Sequence, residues 1–150
     1  PSFMHLAAAK NYISLNKLKK AREILFDLFE KNPSDTEVMY HLALVLMNEK
    51  DYDNARQLLE TVYTISPVAE VANMLAKVYV EIGLYDKAYN LYKVISVASP
   101  GSINLMYAMA ECKYKQKDYA MALKHLKPIL EIFPEHEDAQ KLFARIKKEE

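Results

Sequence analysis

The sequence predicts an all-α solenoid of four helix pairs followed by one terminal helix, from two periodic sets of residues and a scarcity of glycine. Four prolines recur at intervals of 34, 33 and 34 residues: Pro33, Pro67, Pro100 and Pro134. Four alanines recur at the same intervals: Ala21, Ala55, Ala88 and Ala122. Because both sets share the single shortened interval, the chain reads as a tandem repeat of helical hairpins. Only two glycines occur, which favours helices over sheets.

The turn inside each pair is marked by short polar strings. In the second unit the pattern predicts helices over residues 36–49 and 52–65. Asp51 and Asp118 each precede a tyrosine that begins a helix, so we expect both to act as N-caps. Gly83 occupies the equivalent turn of the third unit, where a positive φ costs glycine little.

Two further helix starts are indicated between the units. Ser34 and Glu37 have the spacing of a capping box before the second unit's first helix. Ser102 follows a Pro-Gly turn and is expected to cap the fourth unit's first helix.

The four repeated alanines are expected where the two helices of a pair cross closely. A bulkier side chain there would force the helices apart. One helix pair cannot bury its own apolar face, so the pairs should stack on one another.

These residues resemble the tetratricopeptide repeat family, whose units combine a small and an aromatic residue on the first helix with a small residue, a bulky one and a closing proline on the second. The third unit carries the pattern as Leu75, Ala76, Tyr79, Ala88, Tyr92 and Pro100. Tryptophan is missing, and Lys113 stands where the fourth unit would carry tyrosine. The resemblance implies a right-handed superhelix and one domain, 1–150, with repeats at about 2–35, 36–68, 69–102 and 103–136.

Residues 137–148 look like the capping helix of this family. Phe143 and Ala144 are the side chains we expect to face inward, and the acidic start and basic end suit the helix dipole. No comparable helix precedes Phe3, which predicts that further repeats or a partner cover that end.

In this family the first helix of each unit lines a concave groove that holds partner segments. We call the residues that the resemblance places there the predicted groove residues. They are Leu6, Lys10, Ile13, Tyr40, His41, Leu44, Met47, Asn48, Asn73, Met74, Lys77, Glu81, Tyr107, Glu111, Tyr114 and Lys115.

One part of this lining is notably apolar. Tyr40, Leu44 and Met47 share a face for which the sequence indicates no intramolecular partner, and such patches commonly mark interaction sites. The alternative is that they pack against neighbouring side chains. Lys77, Glu81, Glu111 and Lys115 make the other half of the groove polar, so an extended peptide or an amphipathic helix would match the surface.

A two-carboxylate clamp of the kind that binds chaperone tails is less well matched. Lys10 and Lys77 could contact carboxylates, but the asparagines of that clamp are largely absent. The groove resembles more closely those that hold hydrophobic segments of secretion or assembly substrates.

Several function classes are disfavoured. Twenty basic and 20 acidic residues give no net charge, which argues against nucleic-acid binding, and no apolar run is long enough to insert in a membrane. The four histidines lack metal-ligand spacing, and phosphate-binding loops and nucleophile motifs are absent, so we expect no metal, no cofactor and no catalysis. Cys112 is expected to be a buried core residue. We expect a cytoplasmic location for a chain that, beginning at Pro1, looks trimmed.

The sequence therefore predicts a protein–protein interaction scaffold. Two alternatives stay open: a structural oligomer that self-assembles through the groove or the N-terminal face, and a non-catalytic segment of a larger enzyme or of a secretion or assembly factor.

Overall fold

The computed structural model describes residues 1–149, and all of its regular structure in that range is helical. Four helix pairs are followed by one further helix, as predicted. The helices are α1 (Ser2–Ser14), α2 (Leu18–Lys31), α3 (Thr36–Asn48), α4 (Tyr52–Ile65), α5 (Ala69–Glu81), α6 (Tyr85–Ala98), α7 (Ile103–Lys115), α8 (Tyr119–Ile132) and α9 (Glu137–Glu149). The bounds expected for the second pair are correct to within one residue.

Side-chain caps fix the start of several helices. Asp51 accepts a hydrogen bond from the backbone N–H of Asn54, and Asp118 accepts one from Met121, so both predicted N-caps are confirmed. Ser102 likewise accepts from the N–H of Leu105 at 3.3 Å.

The capping box predicted at Ser34 is wrong. Asp35 is the N-cap of α3, and its carboxylate accepts from the N–H groups of Glu37 and Val38 at 3.1 and 3.3 Å. Ser34 lies one residue too early to reach these donors, and its hydroxyl donates to the Asn32 side chain instead. The positive end of the helix dipole also stabilises a carboxylate at this position.

The turn inside every pair has the same backbone geometry, a Schellman motif. In the first turn the N–H of Lys17 donates to the carbonyl of Tyr12 at 2.8 Å, and the N–H of Asn16 donates to Ile13 at 2.9 Å. The same two hydrogen bonds recur in the other three turns. The motif requires one residue with positive φ, and the four are Asn16, Lys50, Gly83 and Lys117. Glycine therefore supplies only one of the four turns, as predicted for Gly83.

The described chain divides into two compact units, Pro1–Val78 and Tyr79–Glu150. In the first unit α2 packs on α1 and α3, and α3 also contacts α4. Ala21 and Ala55 are both fully buried, as expected for helices that cross closely. The interior of this unit is otherwise built from aliphatic side chains such as Leu25, Leu42 and Leu59.

The second unit places α7 against both α6 and α8, with α9 packed on α7 and α8. Ala88 and Ala122, the other two repeat alanines, are also fully buried, as expected for helices that cross closely. Within residues 1–149 the buried side chains are apolar ones together with Tyr79, Tyr89, Tyr92 and Cys112, and none of them is charged. Apolar contact therefore holds each unit together.

The inward face of α9 differs from the prediction. Ala139, Leu142 and Ile146 are its buried side chains, whereas Phe143 is half-buried and Ala144 is exposed. The three buried positions follow the three- and four-residue spacing of one helix face, and Ala144 lies off that face. The acidic first turn and basic last turn of α9 are present as expected.

Candidate functional site

The predicted groove residues are not equally available. Leu6 is only 9% exposed and belongs to the core of the first unit. Six are exposed: Lys10, Asn48, Lys77, Glu81, Glu111 and Lys115. The other nine are half-buried: Ile13, Tyr40, His41, Leu44, Met47, Asn73, Met74, Tyr107 and Tyr114. A half-buried side chain is held in place by its own helix pair and still presents part of its surface to a ligand.

In the first unit, residues of α3 line a cleft of about 310 Å³ that we call the α3 cleft. The end of α4 and the start of α5 complete its walls. Its lining is Thr36, Glu37, Tyr40, His41, Val62, Ser66, Glu70 and Val71. The predicted groove residues Tyr40 and His41 are therefore adjacent in a real concavity, while Leu44 and Met47 lie further along α3.

Tyr40 has an intramolecular partner, contrary to expectation. Its hydroxyl donates a hydrogen bond to the Glu70 carboxylate at 3.1 Å, so part of the apolar stripe is fixed to α5. Burial, followed by the nearby Glu70 charge, raises the pKa of Tyr40 to about 12, which keeps the phenol protonated. The sequence offered no signal for this bond because the two residues lie in different repeats.

His41 packs edge-on against Tyr40, with ring centroids 5.5 Å apart. Burial and the nearby Lys10 lower the pKa of His41, while the carboxylates of Glu37 and Glu70 oppose them. Lys10 is itself paired with Glu37 across α1 and α3. The imidazole is therefore neutral near pH 7.

In the second unit, α7 and α9 line a cleft of about 150 Å³ that we call the α7–α9 cleft. From α7 it takes Tyr107, Glu111, Tyr114 and Lys115, and from α9 it takes Asp138, Lys141, Leu142 and Arg145. All four groove residues predicted on α7 thus converge on one concavity. The α9 residues were missed because their polar pattern is also that of a solvated outer face.

The electrostatics of the α7–α9 cleft centre on Glu111. Although the residue as a whole is exposed, partial desolvation by the walls of the cleft raises the pKa of its carboxyl; Lys115 and Arg145 oppose that shift, and Asp138 adds to it. Burial, with the charge of Glu111, also raises the pKa of the Tyr107 hydroxyl. The cleft therefore offers tyrosine hydroxyls and charges of both signs, which suits recognition of a polar segment.

The departure at Lys113 has a structural explanation in the second unit. The Lys113 ammonium lies 4.2 Å from the centroid of the Tyr89 ring, a distance typical of a cation–π contact. The Tyr89 hydroxyl is hydrogen-bonded to Nε2 of His125 at 2.9 Å. Burial lowers the pKa of His125, and Lys124 and Lys113 lower it further. This group joins α6, α7 and α8 and is structural.

Candidate chemistry elsewhere is limited. Cys112 is 1% exposed, and burial raises the pKa of its thiol to about 11, so it is the core residue that the sequence predicts. Within residues 1–149, no group of three or more His, Cys, Asp or Glu side chains is placed to hold a metal ion. Over the same range, no helix has the length and apolarity needed to cross a membrane.

Comparison with known families agrees with the hairpin architecture. A family model described as "Anaphase-promoting complex, cyclosome, subunit 3" matches residues 48–129, more than half of the chain. A second model, described as "Tetratricopeptide repeat", matches residues 6–70. The chain belongs to the tetratricopeptide repeat family. The resemblance found in the sequence is thereby confirmed.

Curated relatives are considerably longer than this chain. "TPR repeat-containing protein YpiA" of Bacillus subtilis (strain 168) is 24% identical over 147 residues, which cover 97% of this chain and 35% of the relative. "BBSome complex member BBS4" of Bos taurus is 25% identical over 118 residues, which cover 79% and 23%. The chain thus spans about a third or less of these relatives.

Solved structures share the fold of the tetratricopeptide chain at low sequence identity. A structure of MamA AMB-1 superposes with a TM-score of 0.85 at 19% identity and covers 99% of this chain and 81% of that one. The APC/C hetero-tetramer Cut9-Hcn1 gives a TM-score of 0.80 at 21% identity, covering 97% and 30%. At these identities the likeness concerns the fold alone.

Proposed function

We propose that this tetratricopeptide chain is a non-catalytic protein-binding scaffold and that its predicted groove residues contact a peptide segment or an amphipathic helix of a partner. The observation that carries the proposal is the convergence of Tyr107, Glu111, Tyr114 and Lys115 on one cleft. These residues came from the family's binding face, and nothing in their sequence spacing required a concavity there. We further propose that the four repeats and α9 act as one domain over residues 1–150.

The physical character of the face supports binding without chemistry. Leu44 and Met47 are half-buried, so each retains apolar surface that a partner could cover. Burial of such a side chain contributes roughly 1.5–3 kcal/mol when it is complete, and correspondingly less from a half-buried start. Tyrosine and methionine suit this role because one carries a polar hydroxyl and the other is flexible.

Position-specific photocrosslinking tests the proposal. A benzophenone amino acid replaces Tyr107 in one variant and Leu44 in another. A matched control replaces Phe26, an aromatic residue of α2 that is 37% exposed and lies outside the proposed face. We expect the same partner protein to be crosslinked from Tyr107 and Leu44 in native lysate, and not from Phe26. Equal adducts from all three positions would argue against a binding face on the first helices.

Self-association is a second candidate, favoured by a specific observation. Phe3 and Met4 of α1 are 73% and 57% exposed, and Phe3 borders a cleft of about 200 Å³ formed with α2 and α3. Exposed apolar clusters of this kind commonly mark contact surfaces. Light scattering across a concentration series should show a dimer that Phe3→Ser abolishes and the control Phe133→Ser retains. A constant monomer mass in the unsubstituted chain would remove this candidate.

The length of the curated relatives favours a third candidate. Since the chain covers 35% of YpiA and 23% of BBS4, we also propose that it serves as the scaffold segment of a longer protein. Crosslinks from Tyr107 to another part of the same polypeptide, in cells that make the full-length protein, would support it.

A further inference from the structure

Three cations of the α7–α9 cleft are not held in close salt bridges within the part of the chain that the structure describes. Lys115, Lys141 and Arg145 make no salt bridge to any residue in the range 1–149. The salt bridges found in that range all involve other cations, and the pairs are Lys10–Glu37, Arg22–Glu49, Lys31–Asp27 and Arg56–Glu60. Lys115 and Arg145 act on Glu111 without forming a close salt bridge to it, so all three cations can still pair with carboxylates of a ligand.

The cleft has a surplus of positive charge. Its three cations face two carboxylates, Glu111 and Asp138. The chain as a whole is neutral, so the surplus is a local property of these two helices.

The arrangement of the cations suits several carboxylates and not a single one. Lys141 and Arg145 are four residues apart on α9, so they lie about 5–6 Å apart at their Cβ atoms on one helix face. Lys115 stands on the opposite wall, at the end of α7. The hydroxyl-bearing rings of Tyr107 and Tyr114 and the nearly buried Leu142 complete the lining.

We propose that the α7–α9 cleft binds an acidic segment of a partner protein, whose side-chain carboxylates contact Lys115, Lys141 and Arg145 while an apolar side chain between them packs against the half-buried rings of Tyr107 and Tyr114. This inference deepens the proposed scaffold function and rests on it. It also gives α9 a second role, because this helix supplies half of the binding cleft as well as covering the last repeat.

Glu111 allows the charge of the ligand to be tested by the direction in which its affinity changes. Its carboxylate lies among the same cations and competes with an incoming acid for them. Removing its charge should strengthen the binding of an acidic ligand, whereas removing a cation should weaken it. A basic ligand would respond in the opposite sense to both changes, and a purely apolar ligand would respond to neither.

The experiment is an NMR titration of the ¹⁵N-labelled chain at low ionic strength. The probes are three capped tripeptides: acetyl-Glu-Leu-Glu-amide, acetyl-Gln-Leu-Gln-amide and acetyl-Lys-Leu-Lys-amide. A fourth, acetyl-Gln-Leu-Gln with a free carboxyl end, separates a chain terminus from side-chain carboxylates. We expect only the Glu-containing peptide to shift the amides of α7 and α9 strongly.

Three variants give the decisive comparison. Lys141→Gln should raise the apparent Kd for the Glu-containing peptide by roughly two- to fivefold, the range expected for one exposed charge pair. Lys127→Gln removes the same charge from an exposed position on α8 outside the cleft and should leave the Kd unchanged. Glu111→Gln should tighten the Kd by a similar factor.

Several results would overturn the assignment. They are equal losses in Lys141→Gln and Lys127→Gln, weaker binding in Glu111→Gln, equal shifts by the basic or free-carboxyl peptide, or no shift at millimolar acidic peptide. Failure here while Tyr107 still crosslinks a partner would refute the acidic chemistry and leave the scaffold function standing. If the acidic peptide binds as expected but Tyr107 crosslinks no partner, the acidic chemistry of the cleft stands and the proposed scaffold function is refuted.

Discussion

Ala122→Leu tests the close crossing of helices on which the repeat register depends. Ala122 is fully buried and belongs, with Ala110 and Leu126, to the apolar cluster that joins α7, α8 and α9. A leucine there must displace neighbours, because protein interiors are close-packed and Ala122 is fully buried among apolar side chains. Overpacking of this kind costs roughly 1–3 kcal/mol. For a chain of about this size that corresponds to a fall in Tm of about 2 to 12 °C.

A matched control lies two residues away on the same helix. Ala120 is exposed, so Ala120→Leu adds the same side chain where it meets solvent, and its effect should stay within about 0.5 kcal/mol. Thermal unfolding of both variants, followed by circular dichroism and calorimetry, provides the comparison. If Ala122→Leu has the same Tm as Ala120→Leu and as the unsubstituted chain, then Ala122 is not at a close crossing and the repeat register is incorrect.

The remaining predictions concern caps, turns and pH. Asp118→Ala removes the N-cap of α8 and should lower the free energy of unfolding in urea by about 1 kcal/mol; an unchanged urea midpoint would contradict the capping role. Gly83→Ala should lower the free energy of unfolding by roughly 1 kcal/mol, because φ is +81° at this residue. Lys117→Gly should raise the free energy of unfolding by up to about 1 kcal/mol, because a lysine holds φ at 63° there. Equal effects of the two variants would refute the argument that positive φ favours glycine in these turns. The folded pKa of His125 is lowered, so its stabilising contribution is complete above its ordinary pKa of about 6.5 and is lost as pH falls below it. Urea unfolding from about pH 7 to about pH 5 should therefore show declining stability, and a smaller decline in His125→Gln; identical slopes would exclude His125 as the cause.

The helical hairpins could be predicted because their signals are local and repeated. The alanine period identifies the crossing points, and Asp51 and Asp118 are adjacent in sequence to the helices that they cap. The error at Ser34 came from the same kind of reasoning: Asp35 is also a good cap, and only the actual first helical residue decides between two neighbouring candidates.

The site was only partly predictable because its contacts cross between repeats. Family resemblance selected four residues of α7 that lie on one helix face, and these four line one cleft. The opposite wall, with Lys141 and Arg145, follows from how α9 packs on α7, and no spacing in the sequence encodes that contact. The bond from Tyr40 to Glu70 escaped for the same reason. Ala144 was misplaced because choosing between adjacent positions on a helix requires knowledge of its rotation.

An interior built from apolar contact also explains why this architecture tolerates extensive change in sequence. Apolar packing demands suitable volume at each buried position, and many combinations of aliphatic and aromatic residues meet that demand. The fold is accordingly shared with MamA AMB-1 at 19% identity. Most of the chain's freedom to diverge therefore lies at positions that leave the architecture unchanged. Under the proposed function, the exposed and half-buried residues of α3, α7 and α9 are the positions at which members of the family would differ in their partners.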